Sequence, residues 1–514
     1  MSLHIEKIAV IGVGTMGAGI AQIAIQSGHE VWLYDAKAGA AQQAKQKLSQ
    51  TLQHLADKGK FSHAKAEQDV ARLHIAEELT DLSDCDLVVE AIIENFEIKQ
   101  DLMQQLEAVL KADAVIASNT SSLSITAIAA QCQQPERVAG YHFFNPVPLM
   151  KVVEVIQGFY TRDDIVQALV QLSEKMGHRP VVAKDTPGFI INHAGRAFGS
   201  EAYAILSEQV AEFYEIDRIY RDGIGFKMGP FELGDLTGMD VSHPVSESIY
   251  QQYYHEPRYR PNVNIRQRYI AKQLGRKTGQ GFYDYRSGQK QGDVAPVAVG
   301  RLKEYPSVWI GADFAQDAEA LKNYLTAQHI HLDTQSQPQA QSLVLLACYG
   351  EDATTAAQRY GVNPAQVVCI DLLYGLDKHR TLMPSLVTAA HFVQAAHSIF
   401  NLDGQSLTVI EESVGFVAQR VMAMIVNLGC DIAQQKIASV DDINAAVCLG
   451  LGYPYGPIEW GDVLGAEKIL SILERISHIS HDPRYRPSPW LRRRVKLGLK
   501  LTHQKTPFQQ EQAA

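Results

Sequence analysis

Cysteine is scarce in this 514-residue chain, and the six present (Cys85, Cys132, Cys348, Cys369, Cys430 and Cys448) form no C-x-x-C pair. That pattern suits a reducing compartment better than a disulfide scaffold. Long apolar runs are also missing: none reaches the ~18 residues that a membrane-spanning helix needs. The opening "MSLHIEKIAVIG" runs into a strand pattern without the apolar core of a signal peptide, so a cytoplasmic protein with no membrane partner is expected. Positive charge is in deficit. With 47 Lys and Arg against 57 Asp and Glu, the formal net charge is −10, and the basic footprint of a nucleic-acid binder is absent. No metal is expected.

What is present reads as an ordinary globular composition, 46% hydrophobic and 20% charged, in a chain long enough for about three or four domains. The first 180 residues alternate strand and helix patterns. "KIAVIG" ends in glycine, "GAGIAQIAIQSG" has helical spacing, and "EVWLYD", "DLVVEAI", "AVIAS", "RVAGYHFF" and "KVVEVI" follow as strands. Such alternation predicts a mostly parallel, doubly wound sheet. Its first turn, Gly12-Val13-Gly14-Thr15-Met16-Gly17, follows a strand and opens a helix, and the next strand ends at Asp35. Glycines there allow a tight turn and close approach of a pyrophosphate to the helix N-terminus. A carboxylate at position 35 can accept hydrogen bonds from an adenosine ribose and repels a 2′-phosphate, which favours NAD over NADP.

A nicotinamide site gives His142, in "AGYHFFNP", a possible task. Oxidising an alcohol needs a base for the hydroxyl proton, and neutral imidazole is suited to it. A carboxylate on its far nitrogen would fix the tautomer, and Glu154 in "MKVVEVI" could supply one if the two strands are neighbours. The plainer alternatives are a core histidine and an edge-strand glutamate facing water. The serines of "SNTSSLSITAIAA" likewise read as a helix start.

These segments resemble the L-3-hydroxyacyl-CoA dehydrogenases. The likeness runs from residue 5 to about 285 and rests on "GVGTMGAGIAQ", "VVEAIIEN", "SNTSSL", "HFFNPVPLMKVVEV", "DTPGF", "MGPFEL" and "KTGQGFYDY", in that order. The resemblance implies His142 as general base, Glu154 as its orienting partner, and Ser121 and Asn192 at the substrate's reacting end. It implies cofactor contacts from the glycine turn and from Glu94, Lys99, Asn145 and Lys277. It also puts the CoA contacts near Thr51 and Lys58, although lysines on an exposed helix are usually a solvated face. One departure stands out: His193 follows Asn192 where the family often has arginine.

The second half repeats part of the first. "GF" at 188–189 recurs at 415–416 and "MGPFELGD" recurs as "YGPIEWGD", both displaced by 227, while "HEPRYRP" recurs as "HDPRYRP" displaced by 226. Fixed offsets of this kind point to duplication. The intervening "SVWIGAD", "QSLVLLACYG", "AQVVCID" and "SLTVIEES" read as strands of a degenerate α/β unit without G-x-G-x-x-G. Gln419 replaces Asn192, so the second half is expected to be catalytically empty. Four units follow: a dinucleotide-binding domain at 1–185, a helical domain at 186–285, the degenerate α/β domain at 286–410 and a second helical copy at 411–505. The two helical copies are expected to form an internal pseudo-dimer, with further homo-oligomerisation open. The expected activity is NAD-dependent oxidation of an L-3-hydroxyacyl-CoA, with 3-hydroxyadipyl-CoA favoured over 3-hydroxybutyryl-CoA. A non-catalytic NAD-binding protein is the alternative from another class. A lysine-based dehydrogenase of free hydroxy acids finds no lysine between Thr186 and Phe198.

Overall fold

The computed structural model describes residues 3–296 and 299–504. Its contacts separate two units, one made of Met1–His193 with Gln435–Gly456 and the other of Ala194–Gln434 with the remainder. This division differs from the four-unit expectation. A stretch of the second helical copy, Gln435–Gly456, packs with the dinucleotide-binding sheet instead of with its own copy.

The first unit is built on eight strands: β1 (Lys7–Ile11), β2 (Glu30–Tyr34), β3 (Leu73–Ile75), β4 (Leu87–Glu90), β5 (Val115–Ser118), β6 (Val138–Phe143), β7 (Val152–Gln157) and β8 (Arg179–Lys184). They lie in the order β3-β2-β1-β4-β5-β6-β7-β8. All pairings are parallel except β6 with β7. Strands buried on both faces read as the near-continuous apolar runs of the sequence. Two strands escaped that reading. β3 has three residues, and β8 opens on Arg179 and Pro180, so neither shows an apolar run. At β8, the edge strand, the Lys184 N–H donates to the Ile437 carbonyl at 2.9 Å, and the helix Val440–Leu451 packs on β7 and β8. Covering an edge in this way removes a template for unwanted pairing.

The second unit holds five strands, β9 (Val308–Ala312), β10 (Leu343–Ala347), β11 (Val367–Ile370), β12 (Arg380–Pro384) and β13 (Leu407–Val409), in the order β13-β12-β11-β10-β9. The unexpected member is β12, a short strand bounded by Arg380 and Pro384. Again one pairing is antiparallel, β11 with β12. The register Val152↔Arg179 of β7 and β8 recurs as Arg380↔Leu407 in β12 and β13, the same spacing along the chain. The second sheet therefore repeats the β4–β8 part of the first and lacks β1–β3, the part that carries the glycine turn.

Between the helical copies in this unit runs the helix Val417–Gln434, buried from Val417 to Ala433. A helix buried on every side must find partners for its polar groups. Arg420 bonds Glu201 at 2.8 Å and Glu208 at 2.9 Å, and Arg484 reaches the other Glu201 oxygen at 3.1 Å. Burial alone would raise the Glu201 carboxyl, yet the two guanidiniums hold it below its ordinary range. Arg258 reciprocates by pairing with Asp431 and bonding the Arg484 carbonyl at 3.1 Å. The two "PRYRP" segments thus meet, and each sends an arginine to the other copy's first long helix. The edge bond recurs too: Glu411 N–H donates to the Val210 carbonyl at 2.9 Å, both positions displaced by 227 from Lys184 and Ile437.

Replacing Arg420 with Met takes one of two guanidiniums from the fully buried Glu201 and a partner from Glu208. Arg420→Met should lower the unfolding free energy by about 3 kcal/mol, read from urea denaturation, and an unchanged midpoint would show that the network contributes nothing.

Candidate active site

The dinucleotide features converge at the carboxyl ends of β1 and β2. Gly12 has φ +86°, and a Cβ there would lie 2.6 Å from the Ala91 carbonyl oxygen. A Cβ on Gly17 would strike the backbone of Gly12, whereas Gly14 faces open space. Thr15 and Met16 open the helix Thr15–Gln26, whose N-cap Gly14 has no side chain to satisfy the first N–H groups. That leaves a bare helix N-terminus beside open space, a fit for an anionic pyrophosphate. Asp35 closes the turn by accepting the Val13 N–H at 3.0 Å.

The loops after β4 and β5 are joined through two carboxylates. Glu90 is fully buried and accepts from Lys99 Nζ and Ser118 Oγ, each at 2.6 Å. Glu94 pairs with the same lysine at 3.2 Å and accepts from Thr120 Oγ1 at 2.6 Å and the Ser121 N–H at 3.0 Å. Burial would raise the Glu94 carboxyl, but Lys99 and these donors outweigh it and keep it below the usual carboxylate range. Lys99 is 1% exposed, so its ammonium lies under the surface and orients Glu94. The helix start predicted over the serine cluster comes later: Ser124 caps the helix Ile125–Ala129, leaving Ser121 to Glu94.

His142 and Glu154 stand directly opposite each other on β6 and β7, and Nδ1 lies 2.6 Å from Oε2. Pleating puts directly paired residues on one face, which is why a hairpin in this register joins them. Glu154 is fully buried, and its second oxygen accepts the Ile190 and Ile191 N–H groups at 2.9 Å each. The carboxylate oxygen facing the ring is matched by an N–H at Nδ1, the tautomer that leaves Nε2 to accept. Phe144 and Phe189 flank the ring at 4.4 and 6.0 Å. Asn192, next after Ile191, donates to the Ser121 carbonyl at 3.2 Å. His142, Glu154, Asn192, Ser121 and Glu94 thus form one connected patch.

Other expected residues lie outside it. Asn145 is exposed just beyond β6, and His193 is fully buried. Thr51 spends its hydroxyl on the Lys47 carbonyl, and Lys58 ends the same exposed helix, Ala40–Asp57. Lys277 belongs to the second unit, where it pairs with Asp240 at 2.8 Å. Sequence reasoning missed Glu90 and the Ile190 and Ile191 N–H groups, and it read Ser118 as part of a helix start, whereas it donates to Glu90. Glu90 was signalled by an acid ending an apolar strand, but the backbone donors left no signal. Among the described residues, no cluster could hold a metal ion and no helix is long and apolar enough to cross a membrane.

Residues 7–186 match the NAD binding domain of 3-hydroxyacyl-CoA dehydrogenase, and residues 188–285 and 415–510 each match its C-terminal domain. The chain belongs to the 3-hydroxyacyl-CoA dehydrogenase family. It is an NAD-dependent oxidoreductase acting on 3-hydroxyacyl-CoA. The dehydrogenase is 37% identical to the 3-hydroxyadipyl-CoA dehydrogenase of Escherichia coli (strain K12), a match over 97% of this chain and 99% of the relative. A probable 3-hydroxybutyryl-CoA dehydrogenase of Deinococcus radiodurans is 42% identical over 54% of this chain and 100% of its own length. Among solved structures, the 3-hydroxybutyryl-CoA dehydrogenase from Escherichia coli K12 superposes with a TM-score of 0.86 at 36% identity, covering 96% of this chain and 99% of that one.

In this dehydrogenase Lys99 neutralises a carboxylate that water cannot reach. Lys99→Met should lower the thermal midpoint by roughly 5–10 °C, the size expected for stranding a buried charge. An unchanged midpoint would show that the Lys99–Glu90 pair contributes nothing to stability.

Proposed function

We propose that His142 is the general base of the dehydrogenase and that Glu154 orients it and stabilises its protonated form. The observation that carries this reading is the 2.6 Å contact from Nδ1 to a buried carboxylate whose other oxygen is held by two backbone N–H groups. A base held so cannot swing or change tautomer, and Nε2 takes the proton from the substrate's 3-hydroxyl. Bound NAD supplies the acceptor for the hydride that leaves the same carbon. Ser121 and Asn192 hold the reacting oxygen and the thioester in line.

Gly12, Gly14, Thr15, Met16 and Gly17 cradle the pyrophosphate and Asp35 takes the ribose. Asn145, Lys277 and Glu94, the last steadied by Lys99, complete the cofactor contacts, and Thr51 and Lys58 meet the CoA phosphates. The second half is the structural partner of the first, an intramolecular pseudo-dimer with one active site per chain. In its sheet the pair displaced by 228 from His142 and Glu154 is Ile370 opposite Leu382, both apolar. Gln419 bonds the Cys348 carbonyl at 2.9 Å and Asp371 at 3.2 Å, and no histidine–glutamate pair stands in this sheet among the described residues.

For the acyl chain we propose 3-hydroxyadipyl-CoA, the name carried by a relative that matches along nearly the whole dehydrogenase. Two relatives named for 3-hydroxybutyryl-CoA match 54% of this chain, although a solved structure that covers 96% of it bears that name as well.

His142→Gln should lower kcat by a factor on the order of 10²–10⁴ with NADH affinity unchanged, because the ring acts on substrate. Glu154→Gln should lower kcat less and shift the pH profile. Near-normal turnover in His142→Gln would overturn the assignment. With wild-type enzyme, kcat/KM for 3-hydroxyadipyl-CoA should exceed that for 3-hydroxybutyryl-CoA by about tenfold, and the reverse order would overturn the substrate reading.

A further inference from the structure

We propose that Gly450, in the half without catalytic residues, is a positioning residue for the reaction carried out by the first half. The inference rests on the His142–Glu154 reading above and extends it to what holds Glu154 in place.

The Glu154 oxygen remote from His142 depends on the Ile190 and Ile191 N–H groups, so the position of that backbone turn sets the carboxylate. Ile191 is 1% exposed, and Gly450 lies against it. A Cβ on Gly450 would stand 2.5 Å from Ile191 Cδ1, 3.2 Å from Cγ1 and 3.4 Å from Cγ2. Gly450 sits inside the helix Val440–Leu451 and has no positive φ, so no backbone demand explains it. Glycine is a poorer helix former than alanine, and close approach is the remaining reason for it.

The helix carrying Gly450 is fixed to the catalytic sheet along its length. Lys184 N–H bonds the Ile437 carbonyl, Arg179 at the start of β8 pairs with Asp442 at 3.2 Å, and the helix packs on β7 and β8. The glycine displaced by 227 provides the comparison. A Cβ on Gly223 would find its nearest neighbour, the His379 carbonyl oxygen, at 3.5 Å, an ordinary contact. The tight approach exists only in the copy that faces a working Glu154. In packed interiors a displaced side chain shifts its neighbours, so bulk at position 450 moves Ile191, lengthens the hold on Glu154 and loosens His142.

The test is a double-mutant cycle on the full chain. Gly450→Val should lower kcat about tenfold and move the acid limb of the kcat–pH profile to lower pH, as the imidazolium loses a well-placed counter-charge. NADH affinity should not change. Adding Ile191→Ala, which frees the volume that valine takes and keeps the N–H, should restore most of kcat. Gly450→Ala with Ile191→Val is the gentler pair, adding one methyl and removing the one nearest to it, and serves if Gly450→Val does not fold. Gly223→Ala should leave kcat and the pH profile unchanged. A Gly450 variant with normal kcat and pH profile overturns the inference, as does a loss that trimming Ile191 fails to recover. Should His142→Gln abolish turnover while the Gly450 variants behave as wild type, only this inference falls. An active His142→Gln removes the dyad reading itself.

Discussion

A carboxylate sealed from water must be supplied with donors by the protein, and Glu154 is sealed completely. It receives three: the imidazole N–H of His142 and two consecutive backbone N–H groups. Meeting that need fixes several features together. β6 and β7 must pair antiparallel in one register, because a slip of one residue would turn Glu154 to the opposite face of the sheet. The chain leaving β8 must fold back so that Ile190 and Ile191 point their N–H groups at it. Once those conditions hold, Asn192 falls beside Ser121, and through Glu94 and Ala91 the patch reaches the glycine turn. The active site follows from satisfying one buried charge.

The same rule operates at a second place with no chemistry attached. Arg420, Arg258 and Asp431 lie inside the helical half of the second unit, and each finds its counter-charge on the other copy. Paired charges in an interior discriminate strongly against misalignment, since any shift strands an ion. This explains why "PRYRP" persists in both copies while "HFFNP" does not: the arginines are needed on both sides of the contact, the base on one.

Much of this was legible in the sequence, for reasons that can be named. Glycine at 12 and 17 is demanded by close backbone approach, and an acid inside an apolar strand, as at Glu154, announces a buried partner. The 227-residue offset exposed the duplication. Features without a side-chain signature stayed hidden. The donors from Ile190 and Ile191 are backbone atoms, and β3, β8 and β12 are too short or too polar at their ends to show periodicity. Lys99 was expected at the cofactor, and its burial against Glu90 stayed hidden because that partner belongs to a different element. The assignment of Gln435–Gly456 to the first unit was invisible because long-range exchange leaves the local pattern unchanged.

That exchange bears on how the chain is made. The edge of the first sheet at Lys184 is closed by Ile437, 253 residues further along. At ribosomal speeds of about 5–20 residues per second, the sheet waits roughly 10–50 s with its last strand uncovered. An open edge is a template for foreign strands. Proline at position 180 withholds one ladder donor, and Arg179 and Lys184 place charges at both ends of β8, which makes the strand a poor partner for anything but its own late-arriving segment.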